Sequence, residues 1–146
     1  MGKNAGGEAD TVDQFLESTL DSVDSAENLA LQMARDAGFD EEDLHKIGMA
    51  VRESMVNAVV HGNQYNAHKK VRVSVSKASG RLTVTIADQG KGFDLEALPD
   101  PLNAENLLRN SGRGIFLIRA FMDELHVRRL SPAGTEVTLV KYLERK

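Results

Sequence analysis

Residues 40–61 read DEEDLHKIGMAVRESMVNAVVH, and the fold turns on this stretch. Asp40 stands three residues ahead of Asp43, the spacing of a side-chain N-cap, and acidic residues fill the first turn, where the helix dipole favours them. Leu44, Ile47, Val51, Met55, Ala58 and Val59 recur at three- and four-residue intervals and predict a helix running to about His61. A second apolar set, Met49, Val56 and Val60, lies around the cylinder, so this helix is expected at the centre of the fold, covered on more than one side. Glu53 and Asn57 are four apart and point to the same side, near Ala50, Met49 and Val60. A carboxylate and an amide on a partly apolar helix face need hydrogen bonds or a metal ion to offset desolvation. Their oxygens suit magnesium beside nucleotide phosphates. The spacing leaves a satisfied polar pair in helix packing open as well.

Working outward toward the N-terminus, Ala26, Leu29, Ala30, Met33, Ala34 and Ala37 mark one face of a helix over 22–37, which Gly38 is placed to end. Residues 12–20 are compatible with a short strand whose apolar content comes from Phe15 and Leu16. Residues 1–10 are rich in glycine and polar side chains and read as a flexible leader, leaving 11–146 as one domain. Toward the C-terminus, Val71, Val73 and Val75, then Leu82, Val84 and Ile86, alternate in strands over 70–77 and 81–87, joined by a turn at 78–80. Residues 90–110 read as a loop with a short helix near 105–108. A helix over 112–122 follows, then strands at 124–129 and 136–143 joined through Ser131, Pro132, Ala133 and Gly134. That order predicts an α/β sandwich with a mostly antiparallel, mixed sheet covered by helices on one face. A doubly wound fold would need single strands and helices in repeated alternation.

Composition narrows the function classes. A chain of 146 residues with 41% apolar and 27% charged residues fits one folded domain. It has no cysteine, which excludes disulfides, thiolate metal sites and cysteine nucleophiles. No run approaches the roughly 20 apolar residues that cross a bilayer, so a soluble, cytoplasmic protein without membrane contact is expected. A net charge of −4 and the lack of a dense basic run argue against a nucleic-acid partner.

Two glycine-rich segments add to the Glu53 helix. Asp88-Gln89-Gly90-Lys91-Gly92 follows directly on a strand, and its glycines let the backbone approach a ligand while Asp88 can accept a hydrogen bond from an amino group. An ordinary turn explains the same residues. Ser111-Gly112-Arg113-Gly114-Ile115 opens a helix, where uncovered N–H groups attract phosphate; close packing against the sheet is the alternative. This is neither a dinucleotide fingerprint nor a P-loop, because the third glycine and the Gly-Lys-Ser/Thr run are missing. The loop of about 20 residues between the two segments is long for a compact domain and reads as a lid, with Lys91, Arg109 and Arg113 at its ends. Thr135, after Gly134, can place a hydroxyl near a bound base, and a structural turn explains the pair equally well. His61 ends the Glu53 helix, and His45, His68 and His126 are read as structural or surface residues.

Taken in order, these residues resemble the ATP-binding fold shared by DNA gyrase B, the Hsp90 chaperones, histidine kinases and MutL, the Bergerat-type fold. Within it they resemble the anti-sigma-factor serine/threonine switch kinases. Glu53 to Ala58 with His61-Gly62-Asn63 is similar to the family's N-box; Asp88 to Phe93 and Gly112 to Ile115 are similar to its two glycine boxes; Gly134-Thr135 completes the pattern. The resemblance implies that Glu53 activates or orients the attacking hydroxyl and that Asn57 is the magnesium ligand. It implies that Asp88 binds the adenine amino group with support from Thr135, that Gly90 and Gly92 shape the base side, and that Gly112, Arg113 and Gly114 lie at the phosphates. ATP and Mg2+ are then the cofactors, an anti-anti-sigma protein the substrate, a sigma factor a further partner, and a homodimer the assembly. With 146 residues, neither a histidine kinase's dimerisation hairpin nor a transducer domain is expected beside this domain. A non-catalytic ATP-binding module that sequesters a sigma factor or other regulator is the alternative.

Overall fold

The computed structural model describes residues 10–90 and 114–143. In chain order these form β1 (Asp10–Glu17), α1 (Asp21–Ala37), α2 (Glu41–Val56), a π-helical segment (Asn57–Gly62), β2 (Lys70–Ala78), β3 (Arg81–Ala87), α3 (Gly114–Phe121), β4 (Glu124–Arg129) and β5 (Thr135–Tyr142). The five strands make one sheet in the order β1-β2-β3-β5-β4. Every neighbouring pair is antiparallel. The mixed character expected from the sequence is therefore absent among the described residues: β3 and β4 run in the same sense, but β5 lies between them and pairs antiparallel with both.

The register explains the layers. Val73 faces Ile86 and Val75 faces Val84, while Val84 in turn faces Leu139. Val71, Val73, Val75, Leu82, Val84 and Leu139 are all fully buried, and with Ile47, Val51, Met55, Val23 and Ala30 they form one core between the sheet and α1 and α2. The other face carries Ser74, Thr85, Thr138 and His126 side by side, a polar row. Helices thus cover the face on which the buried apolar side chains of β2 and β3 line up.

Two helix signals are met at atomic detail. The Asp40 carboxylate accepts the Asp43 N–H at 2.9 Å. Gly38 ends α1 at φ 101°, a left-handed conformation that glycine adopts without strain, and its N–H reaches the carbonyls of Ala34 and Arg35. Arg52 of α2 then reaches both Asp24 and Glu27 of α1.

Two elements depart from expectation. The first strand occupies 10–17 rather than 12–20, and Phe15 is 68% exposed. Its register is set by β2, along which Asp10, Asp13 and Glu17 pair with Lys77, Arg72 and Lys70. Val12 and Leu16 pack this strand against the core, and the opposite charges across the strands add to that pairing. The helix expected to reach His61 is α-helical only to Val56. Beyond Asn57 it widens to a π turn, and the Asn63 N–H bonds the Ala58 carbonyl, five residues back, at 2.8 Å. A π turn holds more residues than an α turn, so the residues after Asn57 are rotated from where a continuous helix would put them. Gly62 and Asn63 consequently meet the end of β3.

Candidate functional site

Asp88 follows the last residue of β3 and is 7% exposed. Its Oδ1 accepts the N–H groups of Gly90 at 3.1 Å and Thr135 at 3.2 Å, and its own N–H donates to the Thr135 carbonyl at 3.0 Å. Burial pushes its carboxyl up to about 6, against the opposing pull of those two N–H donors and the charge of Lys69. Three glycines make room for it. A β-carbon on Gly62 would lie 2.3 Å from Asp88 Oδ2, one on Gly134 would lie 2.3 Å from the Asp88 carbonyl oxygen, and one on Gly90 would lie 1.6 Å from the Gly62 carbonyl oxygen. Each distance is far inside van der Waals contact, so this corner closes only on glycine.

Asn63, 2% exposed, ties the corner to the sheet. Its Oδ1 accepts the Gln89 N–H at 2.7 Å, and its Nδ2 donates to Ser18 Oγ at 2.9 Å and to the Lys70 carbonyl at 3.1 Å. The Gln89 side chain answers by accepting the Lys70 N–H at 2.6 Å.

The second part of the site lies where α3 begins. A β-carbon on Gly114 would meet Glu53 Oε1 at 2.9 Å and the two amide atoms of Asn57 at 3.6 and 3.7 Å. Glu53, Asn57 and the start of α3 are therefore brought together, and a β-carbon at Gly114 would make the Glu53 carboxylate shift. Among the described residues no three His, Cys, Asp or Glu side chains converge as a metal cage. The Asn57 amide oxygen is a hard donor of the kind that would suit magnesium beside phosphate oxygens, and the Glu53 carboxylate stands next to it. The segment from Asn57 to Gly62 connects this part to the Asp88 corner.

Glu53, Asn57, Asp88, Gly90, Gly114 and Thr135 are thus placed in two adjoining clusters joined by one turn of helix. Thr135 enters through its backbone. Gly92, Gly112 and Arg113, together with Lys91, Arg109, the lid and the short helix near 105–108, lie outside the described residues. Sequence reasoning gave no structural duty to Gly62 or Asn63. An Asn after a helix-ending glycine reads as an ordinary turn, and no local signal says that the turn abuts a strand end 25 residues away.

The same fold is found in known proteins. Residues 16–141 match the histidine kinase-like ATPase domain family, and the chain belongs to that family. Within it, the chain is 36% identical over 104 residues to the anti-sigma F factors of Bacillus thuringiensis (strain Al Hakam) and Bacillus mycoides (strain KBAB4), covering 70% of this chain and 71% of each relative. Among solved structures, the RsbU and RsbW domains of Rv1364c from Mycobacterium tuberculosis align with a TM-score of 0.67 at 19% identity, covering 94% of this chain and 33% of that one. This chain spans about a third of that structure. The SiaB-SiaC complex from Pseudomonas aeruginosa aligns with a TM-score of 0.65 at 13% identity over 88% of each chain. At such identities the structural likeness speaks for the fold. No helix among the described residues is long and apolar enough to cross a membrane.

Proposed function

We propose that this protein is an ATP-dependent serine/threonine kinase that phosphorylates an anti-anti-sigma type partner and thereby regulates a sigma factor. The observation that carries the proposal is the seating of Gly114 on Glu53 and Asn57, which puts a carboxylate and an amide oxygen at the start of a helix while Asp88 closes the opposite end. The likeness to anti-sigma F factors supports the choice of partner class.

In this reading Asp88 accepts an N–H from the adenine amino group through its ionised carboxylate, and Thr135 and Gly90 hold that carboxylate in place. Asn57 would supply an oxygen to magnesium, and Gly112, Arg113 and Gly114 are the residues we assign to the phosphates. When bound, magnesium would offset charge on the phosphates. Glu53 accepts the proton of the partner's hydroxyl as its oxygen bonds to the terminal phosphorus; the bond to the bridging oxygen breaks and ADP leaves with the electron pair. Catalysis of this kind depends on positioning and charge more than on covalent chemistry. A cytoplasmic homodimer is the assembly we propose with it.

Incubation with candidate anti-anti-sigma proteins and magnesium-ATP tests the reading, with phosphoserine or phosphothreonine on the partner as the expected product. ATP binding without a phosphorylated partner would remove the kinase claim. It would leave the alternative favoured by the relatives' names, which speak of anti-sigma action and not of transfer: a module that sequesters a sigma factor with ATP as a conformational ligand. Capture of a sigma factor in the absence of phosphorylated product would be its mark.

A further inference from the structure

Asp88 can recognise a base only if its loop is held still, and the residue that holds it is not in the loop. Asn63 leaves the π turn fully buried, with both ends of its amide in use. Its acceptor end takes the N–H of Gln89, the residue between Asp88 and Gly90. Its donor end is fixed by two oxygens that belong to the sheet, the Ser18 hydroxyl beyond β1 and the Lys70 carbonyl at the start of β2. The Ser18 hydroxyl in turn donates to the Lys69 carbonyl at 2.6 Å, which directs its lone pairs at Asn63. The chain of contacts thus runs from two strands, through one side chain, to the peptide next to Asp88.

We infer that Asn63 is the specificity-determining positioning residue of the base end. This rests on the ATP reading of the site. With the Gln89 N–H held, the carboxylate of Asp88 stays aimed by Gly90 and Thr135, so the site offers a fixed acceptor. A fixed acceptor favours a base with an exocyclic amino group and repels one with a carbonyl at that place. An acceptor free to swing would lose that discrimination, since it could turn away from the carbonyl. Asn63 touches neither the base nor the phosphates; it acts through Gln89.

The test compares equilibrium binding of ATP and GTP to the wild type, N63A and S18A, with unfolding measured on the same samples. S18A removes one partner of the Asn63 amide nitrogen and leaves the Gln89 contact alone. It should lower stability and keep the ATP-to-GTP preference. N63A should lower that preference by about tenfold in the folded protein, the size of one lost hydrogen-bonding partner. Should N63A not fold, N63S takes its place, with a side chain too short to keep both the sheet and Gln89. Equal preference in wild type and the folded Asn63 variant overturns the inference while leaving the ATP reading intact. Failure of the wild type to prefer ATP overturns both.

Discussion

Replacing Asp88 by Asn should make the protein more stable at neutral pH while disabling its base recognition. The folded carboxyl sits at about 6 because it is buried, against an ordinary value of 3.8. A pKa unit is worth about 1.36 kcal/mol, so the distance between the two values amounts to about 3 kcal/mol of pH-dependent free energy. The sign follows from proton binding. Between 3.8 and about 6 the folded state holds a proton that the unfolded state has released, so the stabilisation is fully present below pH 3.8 and is lost as pH rises through about 6. In D88N the side-chain amide keeps an oxygen for the Gly90 and Thr135 N–H groups and carries no charge, so the variant lacks this dependence. Urea unfolding of both proteins from pH 3.5 to 8 isolates it: the difference in stability should move by about 3 kcal/mol in favour of D88N across that range. ATP affinity of the wild type should fall as pH drops through about 6, as the acceptor protonates, and D88N should lack affinity throughout. Parallel stability curves for the two proteins would refute the reasoning, because a carboxylate that costs nothing to ionise is not desolvated.

Four further outcomes are expected. E53Q should bind ATP while phosphate transfer falls by about 10²–10⁴-fold, the usual loss on removing a general base; unchanged transfer would take Glu53 out of the reaction. N57A should lose the magnesium-dependent part of its ATP affinity, measured by calorimetry with and without the ion, and equal affinities would refute its role as ligand. G114A places a β-carbon 2.9 Å from Glu53 Oε1, the end of a flexible side chain. It should therefore fold with near-native stability and lose transfer, and a variant that keeps transfer would contradict the packing. G134A combines φ 120° with a β-carbon 2.3 Å from the Asp88 carbonyl oxygen, whereas Gly80 at φ 78° has open space around it. G80A should cost about 1 kcal/mol and G134A distinctly more in urea unfolding, and equal costs would show that the Asp88 corner can relax.

Much of this molecule is written in local pattern. The N-cap at Asp40, the end of α1 at Gly38 and the alternation in β2 and β3 are near-neighbour effects, and the chain states them within a few residues. The spacing of Glu53 and Asn57 likewise fixes their common side, because helical geometry decides it. β1 is less legible: its weak apolar alternation hides a strand whose register, with Val12 and Leu16 on the core and acidic residues beside basic ones, is set by β2 more than 50 positions later. The π turn is not legible at all, since nothing between Asn57 and Gly62 forbids an α-helix, and the wider turn is settled by what Gly62 and Asn63 meet.

The sequence by itself therefore determined the helices, the alternating strands and the chemical character of Glu53, Asn57 and Asp88, all of which depend on contacts a few residues long. Only the tertiary structure decided that Gly62 closes on the Asp88 carboxylate, that Gly134 closes on the Asp88 backbone and Gly90 on that of Gly62, that Gly114 rests on Glu53, and that Asn63 holds the peptide after Asp88. Those are contacts between residues distant in the chain. Their tolerance is set by atoms approaching within van der Waals range, a quantity that no one-dimensional pattern carries.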